Sequence, residues 1–157
     1  METIFILLMA VLNTPLTVKS PAFANNGMIP AKYTCSGANI NPAISVGDIP
    51  TGALSLALIV DDPDAPKGTV DHWVMWNIPI SGSISEDSAP GVQGLNTKNE
   101  NKYMGPCPPS GTHHYHFKVY ALDTKLDLPD TTDKAALMKA MDSHILASGE
   151  LVGLYKK

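Results

Sequence analysis

The sequence has few positively charged residues, and it lacks an apolar run of the length of a membrane helix. Each of these two absences excludes a class of function. It carries 11 Lys plus Arg residues against 15 Asp plus Glu, with a formal net charge of −4. An acidic chain without a basic block repels polyanions, which excludes nucleic acid as a partner. The apolar stretch at residues 4–12 is shorter than the roughly 20 residues of a membrane helix. We therefore expect no stable membrane insertion.

Motifs of the common enzyme classes are missing as well. No Gly-x-Ser-x-Gly sequence surrounds Ser110, and the chain contains no phosphate-binding P-loop and no HExxH pair. Cys35 and Cys107 do not have the spacing of a zinc motif. These absences lead us to predict a non-enzymatic protein with no cofactor and no bound metal.

The two cysteines form an even pair separated by most of the chain. In an exported protein we expect a disulfide between Cys35 and Cys107, which would brace the loop that contains Cys107. In a reducing cytosol both residues would remain ordinary buried thiols. The sequence leaves these alternatives open.

Composition favours strands and turns over helices. Thirteen prolines and twelve glycines accompany only three phenylalanines, and a chain of 157 residues fits one domain. The nearly continuous apolar run at residues 54–60 predicts a central strand covered on both faces. Further strands are predicted at residues 73–78 and 115–122. The sequence therefore predicts a single, mostly β domain over residues 17–157.

One long segment has helical periodicity. It follows Thr132 and Asp133, where Thr132 is the predicted cap and Asp133 suits the positive end of the helix. Gly149 is the predicted stop, before a last strand at residues 151–155. The apolar face of this helix is formed by Leu137, Met138, Met141 and Ile145.

Residues 1–16 precede the predicted domain and have the apolar character and length of a signal peptide. Glu2 and the absence of Lys or Arg ahead of the apolar stretch depart from the usual pattern. We expect cleavage near residues 13–16 and a periplasmic or secreted protein. If the segment is retained, the expected location is the cytoplasm.

A stiff loop leads into an alternating strand at residues 105–120. Its prolines fix the backbone, and its glycines permit conformations closed to other residues. Alternation along the strand places His113 and Tyr115 on one face and His114 and His116 on the other. Rigid loops on a scaffold often carry function, so this loop is a candidate wall of a binding site.

A second polar cluster follows the central strand. Asp62 and Asp64 alternate with prolines, which hold each carboxylate in a nearly fixed direction, and His72 and Trp73 follow closely. On spacing alone, the two aspartates are typical of a simple Asx turn.

These two segments resemble the phosphatidylethanolamine-binding protein family, also called the Raf kinase inhibitor family, in its bacterial and archaeal branch. The resemblance is carried by Asp-Pro-Asp-Ala-Pro at residues 62–66, by His72-Trp73 with an asparagine five residues after the histidine, and by the long motif at residues 105–123. It runs from about residue 20 to residue 155. It implies a large central sheet flanked by a smaller sheet and one or two helices, with residues 20–23 in the first strand.

The resemblance also implies the members of a small pocket. Its expected ligand-binding residues are Asp62, His72, Pro106, His113 and Tyr115. Asp64, Trp73 and Gly105 are expected to support them. In this hypothesis the imidazoles and the phenol donate hydrogen bonds to phosphate oxygens. Asp62 holds the tautomer of His72 or raises its pKa, or meets a ligand ammonium.

We therefore expect a binding protein for a phosphate-type anion or a phospholipid headgroup, which also inhibits a kinase or a protease. The alternative is a metal-assisted hydrolase with His72, Asp62 and either His113 or His114 around a bound water. A third hypothesis treats the histidines as incidental to a structural or partner-binding domain. The sequence leaves the oligomeric state open, including a homodimer.

Overall fold

A computed structural model describes residues 14–157, and within this range it contains nine strands and one α-helix. The apolar stretch at residues 4–12 lies outside the described residues, as does most of the predicted signal segment. A short 3-10 helix spans Ala31–Tyr33. The elements are β1 Thr17–Lys19, β2 Gly27–Met28, β3 Ile44–Gly47, β4 Ser55–Asp62, β5 Val70–Ile78, β6 Ser83–Ile84, β7 Val92–Gln93, β8 Thr112–Leu122, α1 Lys134–Met141 and β9 Ile145–Lys156.

The strands form two sheets of different size. The large sheet has six strands in the order β2-β9-β8-β4-β5-β7, and the small sheet has three in the order β1-β3-β6. Neighbouring strands are antiparallel except for β2 and β9, which pair in parallel. The predicted mostly β class, with a large sheet, a smaller sheet and little helix, is confirmed.

The central strand β4 is buried on both faces, as the apolar run predicted. Alternate residues such as Leu58 and Val60 join the main core, which also contains side chains of the small sheet. The intervening Ala57 and Ile59 pack in a second cluster with helix α1. The strand begins at Ser55, one residue later than predicted, and it extends to Asp62. Leu54 lies just outside the strand and is 57% exposed.

The helix is shorter than predicted. It ends at Met141, and its cap is Asp133, whose carboxylate accepts the N–H of Ala136 at 2.9 Å. The Thr132 hydroxyl donates instead to the carbonyl of Pro129. Met138 is 46% exposed, so the predicted apolar face was wrong at this position.

The predicted last strand at residues 151–155 is confirmed as part of β9, but the boundary before it was predicted wrongly. Ile145 begins strand β9, and the predicted stop Gly149 lies inside that strand. Strand β9 pairs with β8 along nearly its whole length. This long ladder covers the side of β8 that faces away from β4, and a continued helix would leave that side of β8 without a sheet partner.

The entry into the domain differs from the expectation at one point. Residues 20–23 follow strand β1 and do not belong to it. Phe23 nevertheless packs in the main core. Leu16 is also buried there, and its N–H donates to the carbonyl of Ser148 at 3.0 Å. Packing of the domain therefore includes Leu16, one residue before the predicted boundary.

Candidate functional site

A cavity of about 530 Å³ lies where β4 ends and β5 and β8 begin. Loop residues complete its wall, and they are residues 65–69, 97–98, 104–105 and 107–109, together with Cys35 and Asn39. Four of the predicted ligand-binding residues line this cavity, and all four are buried. These four residues are Asp62, His72, His113 and Tyr115.

Strand alternation places Asp62 in the cavity. Its neighbour Asp61 points to the opposite face, where it meets Lys134 of α1 at 2.7 Å and Lys118 of β8 at 3.1 Å. Asp61 is therefore neutralised behind the sheet. Of the two neighbouring aspartates, Asp62 lines the cavity and Asp61 does not.

A β-bulge brings His72 to the same side. Val60 of β4 pairs with Trp73 of β5, but the next residue, Asp61, pairs with Asp71, so His72 is an extra residue in the ladder. Regular alternation would turn His72 away from the face that carries Trp73, whereas a bulge re-aims the side chain. The histidine therefore lies inside β5 and not just before it, as the sequence indicated.

Each oxygen of the Asp62 carboxylate has a hydrogen-bond partner in the protein. Its Oδ2 lies 2.7 Å from Nδ1 of His113, and its Oδ1 accepts the N–H of Asp64 at 2.8 Å. His113 is 7% exposed and Asp62 is 3% exposed, so this pair is shielded from water. Asp62 orients His113 and not His72, which corrects the expected pairing.

His72 is held by a backbone group instead. Its Nδ1 lies 2.6 Å from the carbonyl oxygen of Met104, in the loop that precedes the cysteine. Burial lowers the pKa of His72, and the hydrogen bond to Met104 and the charge of Asp62 oppose this only in part. The expected rise in this pKa was wrong, and His72 is a neutral imidazole near pH 7.

The ring of Tyr115 neighbours both imidazoles. Its ring centroid is 5.2 Å from that of His72, edge to face, and 6.5 Å from that of His113, nearly parallel. Its hydroxyl is buried and has no hydrogen-bond partner among the described residues. Burial is the largest cause of a raised pKa of Tyr115, and the negative charge of Asp62 adds to it. The backbone of Cys107 opposes this rise, but it lies outside hydrogen-bond geometry.

The other two histidines of the motif face away, as alternation predicted. His114 is exposed, and both its N–H and its ring bind Oδ2 of Asp64, at 2.8 and 2.7 Å. Asp64 thereby fastens the loop after β4 to strand β8. His116 lies 3.2 Å from Glu150 of strand β9. Neither histidine lines the cavity.

The loop at residues 103–109 is tied to the segment around the 3-10 helix. Cys35 and Cys107 are joined by a disulfide, and both line the cavity. The N–H of Gly105 donates to Oδ1 of Asn39 at 2.8 Å, and a side chain at Gly105 would overlap this oxygen. Pro106 does not line the cavity. It is buried behind the wall, where its carbonyl accepts the N–H of Cys35.

Some lining residues had no clear signal in the sequence. Lys67 and Lys98 lie on two different loops of the wall, and Met104 supplies the carbonyl for His72. Isolated lysines in polar loops are too common to predict a site. Trp73, expected as a support, is buried in the core, and its Nε1 donates to Oε1 of Gln93 at 2.8 Å.

The ligand set of the hydrolase alternative does not come together. Within residues 14–157, no three His, Cys, Asp or Glu side chains are placed to hold one metal ion. His114 lies on the outer face with Asp64 and does not join the cavity residues. In the same part of the chain, no helix is long and apolar enough to cross a membrane.

The fold and the cavity define a class of small β proteins with a pocket at the end of a central sheet. The family model for phosphatidylethanolamine-binding protein matches residues 19–156. A UPF0098 protein of Pyrococcus horikoshii is 48% identical over 149 residues, which cover 88% of this chain and 75% of that protein. One from Methanothermobacter thermautotrophicus is 45% identical over 150 residues, 90% of this chain and 99% of its own length.

Two solved structures agree with these sequence relatives. A phosphatidylethanolamine-binding protein homologue from Chlamydia trachomatis has a TM-score of 0.88 and 41% identity, over 91% of this chain and 98% of that one. Escherichia coli YbcL, described as a member of the mammalian family, has a TM-score of 0.84 and 28% identity. The match covers 92% of this chain and 99% of that one. The chain belongs to the phosphatidylethanolamine-binding protein family.

Proposed function

We propose that this chain is a non-enzymatic binding protein that holds a phosphate-type anion, free or within a phospholipid headgroup, in the cavity at the end of β4. The observation that carries the proposal is the buried hydroxyl of Tyr115, which lacks a partner among the described residues and belongs to a ring that neighbours both cavity imidazoles. An unpaired buried hydroxyl costs free energy. A ligand oxygen that accepts a hydrogen bond from the Tyr115 hydroxyl would recover this free energy.

The charges around the cavity favour an anion. Lys67 and Lys98 stand in its wall, while the carboxylate of Asp62 is occupied by His113 and by the backbone of Asp64. Hydrogen bonds that a carboxylate accepts reduce its repulsion of a nearby anion. The names of the family model and of the Chlamydia trachomatis homologue, which refer to phosphatidylethanolamine binding, are consistent with a phosphate-containing ligand.

The site residues are suited to binding more than to chemistry. Cys107 is held in a disulfide with Cys35, so neither cysteine of the cavity wall is a free thiol nucleophile. The resemblance also implies inhibition of a kinase or a protease. No contact within residues 14–157 argues for such a partner, so the proposal is restricted to the anion.

Isothermal titration with inorganic phosphate tests the proposal, with Tyr115→Phe as the informative variant. We expect saturable binding by the wild type and about 10-fold weaker binding by Tyr115→Phe, because one hydrogen bond to a charged oxygen is lost. The stability of this variant should be unchanged or higher, since the hydroxyl has no partner among the described residues.

Tyr103→Phe is the matched control. The Tyr103 hydroxyl is also buried, but it donates to the carbonyl of Tyr33 at 2.8 Å and does not line the cavity. Its loss should lower the stability by about 1 kcal/mol and leave phosphate binding unchanged. Absence of phosphate binding by folded wild-type protein at millimolar concentration would refute the anion site.

A further inference from the structure

The disulfide between Cys35 and Cys107 is part of the cavity wall and is open to solvent. Both cysteines line the cavity, and both are exposed residues. An exposed disulfide exchanges with thiols more readily than a buried one, because the attacking thiolate must reach a sulfur atom. The proposed anion site therefore has an accessible electrophile beside it.

The two sulfur atoms of this disulfide differ in their surroundings. Nζ of Lys157 lies 3.9 Å from Sγ of Cys107. A positive charge beside a sulfur favours its thiolate form, and a stabilised thiolate is the better leaving group in disulfide exchange. Attack on Sγ of Cys35 is therefore favoured, because the departing electron pair then lies on Cys107 beside the ammonium group.

The groups that favour an anion lie next to the same disulfide. The hydroxyl of Tyr115 is near enough to the backbone of Cys107 for that backbone to lower its pKa in part. Lys67 and Lys98 belong to the same cavity wall. The cavity volume of about 530 Å³ is in the range of small-molecule sites, so the cavity has room for an organic group beyond the anion itself.

We propose that the cavity takes up small thiols that carry an anionic group, and that their thiolate exchanges with the disulfide to leave a mixed disulfide on Cys35. The anion of such a ligand accepts a hydrogen bond from Tyr115 while its thiolate reaches the cavity wall. The preference for an anionic thiol rests on the proposed anion site, whereas the exchange itself rests on the exposed disulfide.

The exchange needs no reactant besides the thiol. The thiolate sulfur of the ligand bonds to Sγ of Cys35 as the bond between Cys35 and Cys107 breaks. The bonding electron pair leaves on Sγ of Cys107, which becomes a thiolate. One disulfide replaces another, so no oxidant is consumed and the ligand has lost only its thiol proton.

Hydrogen bonds keep the two cysteines close after the exchange. The N–H of Cys35 donates to the carbonyl of Pro106 at 3.1 Å, and the N–H of Gly105 donates to Oδ1 of Asn39 at 2.8 Å. The displaced thiolate of Cys107 therefore stays near the mixed disulfide and reverses the reaction when the free thiol is removed. We expect a reversible modification of the cavity wall.

A comparison of two thiols with the same two-carbon chain tests the proposal. The full chain reacts at pH 7 and low salt with 2-mercaptoethanesulfonate or with neutral 2-mercaptoethanol, and intact mass after acid quenching gives the rates. Each rate is divided by that of the same thiol with a small neutral disulfide, which corrects for intrinsic nucleophilicity. We expect a preference of about 10-fold for the sulfonate, which shrinks above about 0.5 M salt.

The position of the adduct and three variants identify the groups responsible. Peptide mass mapping of the quenched product should find the mixed disulfide on Cys35. Lys157→Gln should slow both thiols about 3-fold by weakening the leaving group, whereas Lys156→Gln removes an equal charge from the preceding residue and should have little effect. Tyr115→Phe should lower the preference for the sulfonate. The comparison of the two thiols on the wild type gives an answer even if a variant does not fold.

The outcomes separate this inference from the proposed function. Equal corrected rates for the two thiols would refute the uptake of anionic thiols, and the anion site would stand if phosphate still binds. Absence of any adduct on the folded protein, or an adduct on Cys107, would refute the directed exchange. A preference for the sulfonate without phosphate binding would support the inference and refute the proposed phosphate ligand.

Discussion

The carboxylate of Asp62 and the imidazole of His113, 51 residues apart in sequence, form a buried hydrogen bond of 2.7 Å between Oδ2 and Nδ1. The bond links the end of β4 to the start of β8 and fixes one side of the cavity. It also determines which nitrogen of His113 faces a ligand. Asp62 is therefore a positioning residue, because its carboxylate holds the imidazole of His113.

Replacing Asp62 by Asn tests this positioning role. The neutral amide makes a weaker hydrogen bond to the ring of His113 than the carboxylate does, so the imidazole is held less firmly. We expect phosphate affinity to fall about 10- to 100-fold. Isothermal titration with inorganic phosphate measures this change.

The control for this substitution is Asp64→Asn, which removes a carboxylate that binds His114 outside the cavity. It should leave phosphate affinity unchanged. Unchanged phosphate affinity in Asp62→Asn would contradict the assigned role.

The stability of the protein should depend on pH through His72. Burial lowers the folded-state pKa of His72 below its unfolded value near 6.5, so the unfolded state binds more protons between these two values. Its contribution to stability is complete above about pH 6.5 and is lost as the pH falls toward the folded-state pKa. Urea unfolding from pH 7.5 to pH 5 should show a smaller loss in His72→Asn than in wild type. Parallel curves would contradict this.

The two lysines of the cavity wall should act by long-range attraction. Lys67→Ala with Lys98→Ala should weaken phosphate binding by about 3- to 10-fold at low salt, and the difference should shrink above about 0.5 M salt. Lys19→Ala with Lys139→Ala changes the net charge equally but lies on β1 and α1, away from the cavity. Equal effects of the two pairs would show that net charge alone matters.

The disulfide should contribute strongly to stability, because it closes a long loop. Cys35 and Cys107 are 72 residues apart, and a loop of this length corresponds to about 4 kcal/mol in the chain-entropy description. Reduction should therefore lower the unfolding midpoint of the wild type, measured by denaturant titration. The Cys35→Ser, Cys107→Ser variant should show the lower midpoint with or without reductant. A midpoint insensitive to reductant in the wild type would contradict the expectation.

Gly105 should tolerate no side chain. A Cβ there would overlap Oδ1 of Asn39 and the carbonyl of Tyr33, so Gly105→Ala should cost about 3 kcal/mol and weaken phosphate binding. The control is Gly52→Ala, which has φ +94° and open space around it. It should cost about 1 kcal/mol from backbone strain alone and leave binding unchanged.

Several local features were predictable because they follow from short-range patterns. The alternation in β8 correctly separated His113 and Tyr115 from His114 and His116. The apolar run of β4 correctly predicted a strand buried on both faces. The composition and the motifs also led to the correct fold class and family. Side-chain period and the conformational limits of proline and glycine act within a few residues, so the sequence contains this information directly.

Other features depend on residues far apart in the chain. Helical periodicity continued through Ile145, but the ladder between β8 and β9 takes that residue into a strand. The motif placed Pro106 in the pocket, whereas the ties of its loop to Cys35 and Asn39 turn it behind the wall. Pairing with a distant strand or loop outweighs a local preference, because it satisfies more backbone groups and buries more apolar surface.

The sequence by itself determined the mostly β class, the family, and the residue types gathered at the strand ends. Only the tertiary structure decided how these residues are oriented. The bulge in β5 brings His72 into the cavity, and the partners Met104 and Asp62 assign the ring nitrogens. Hydrogen bonds between residues 32 and 51 positions apart depend on strand register and loop packing, which are set when the whole sheet assembles.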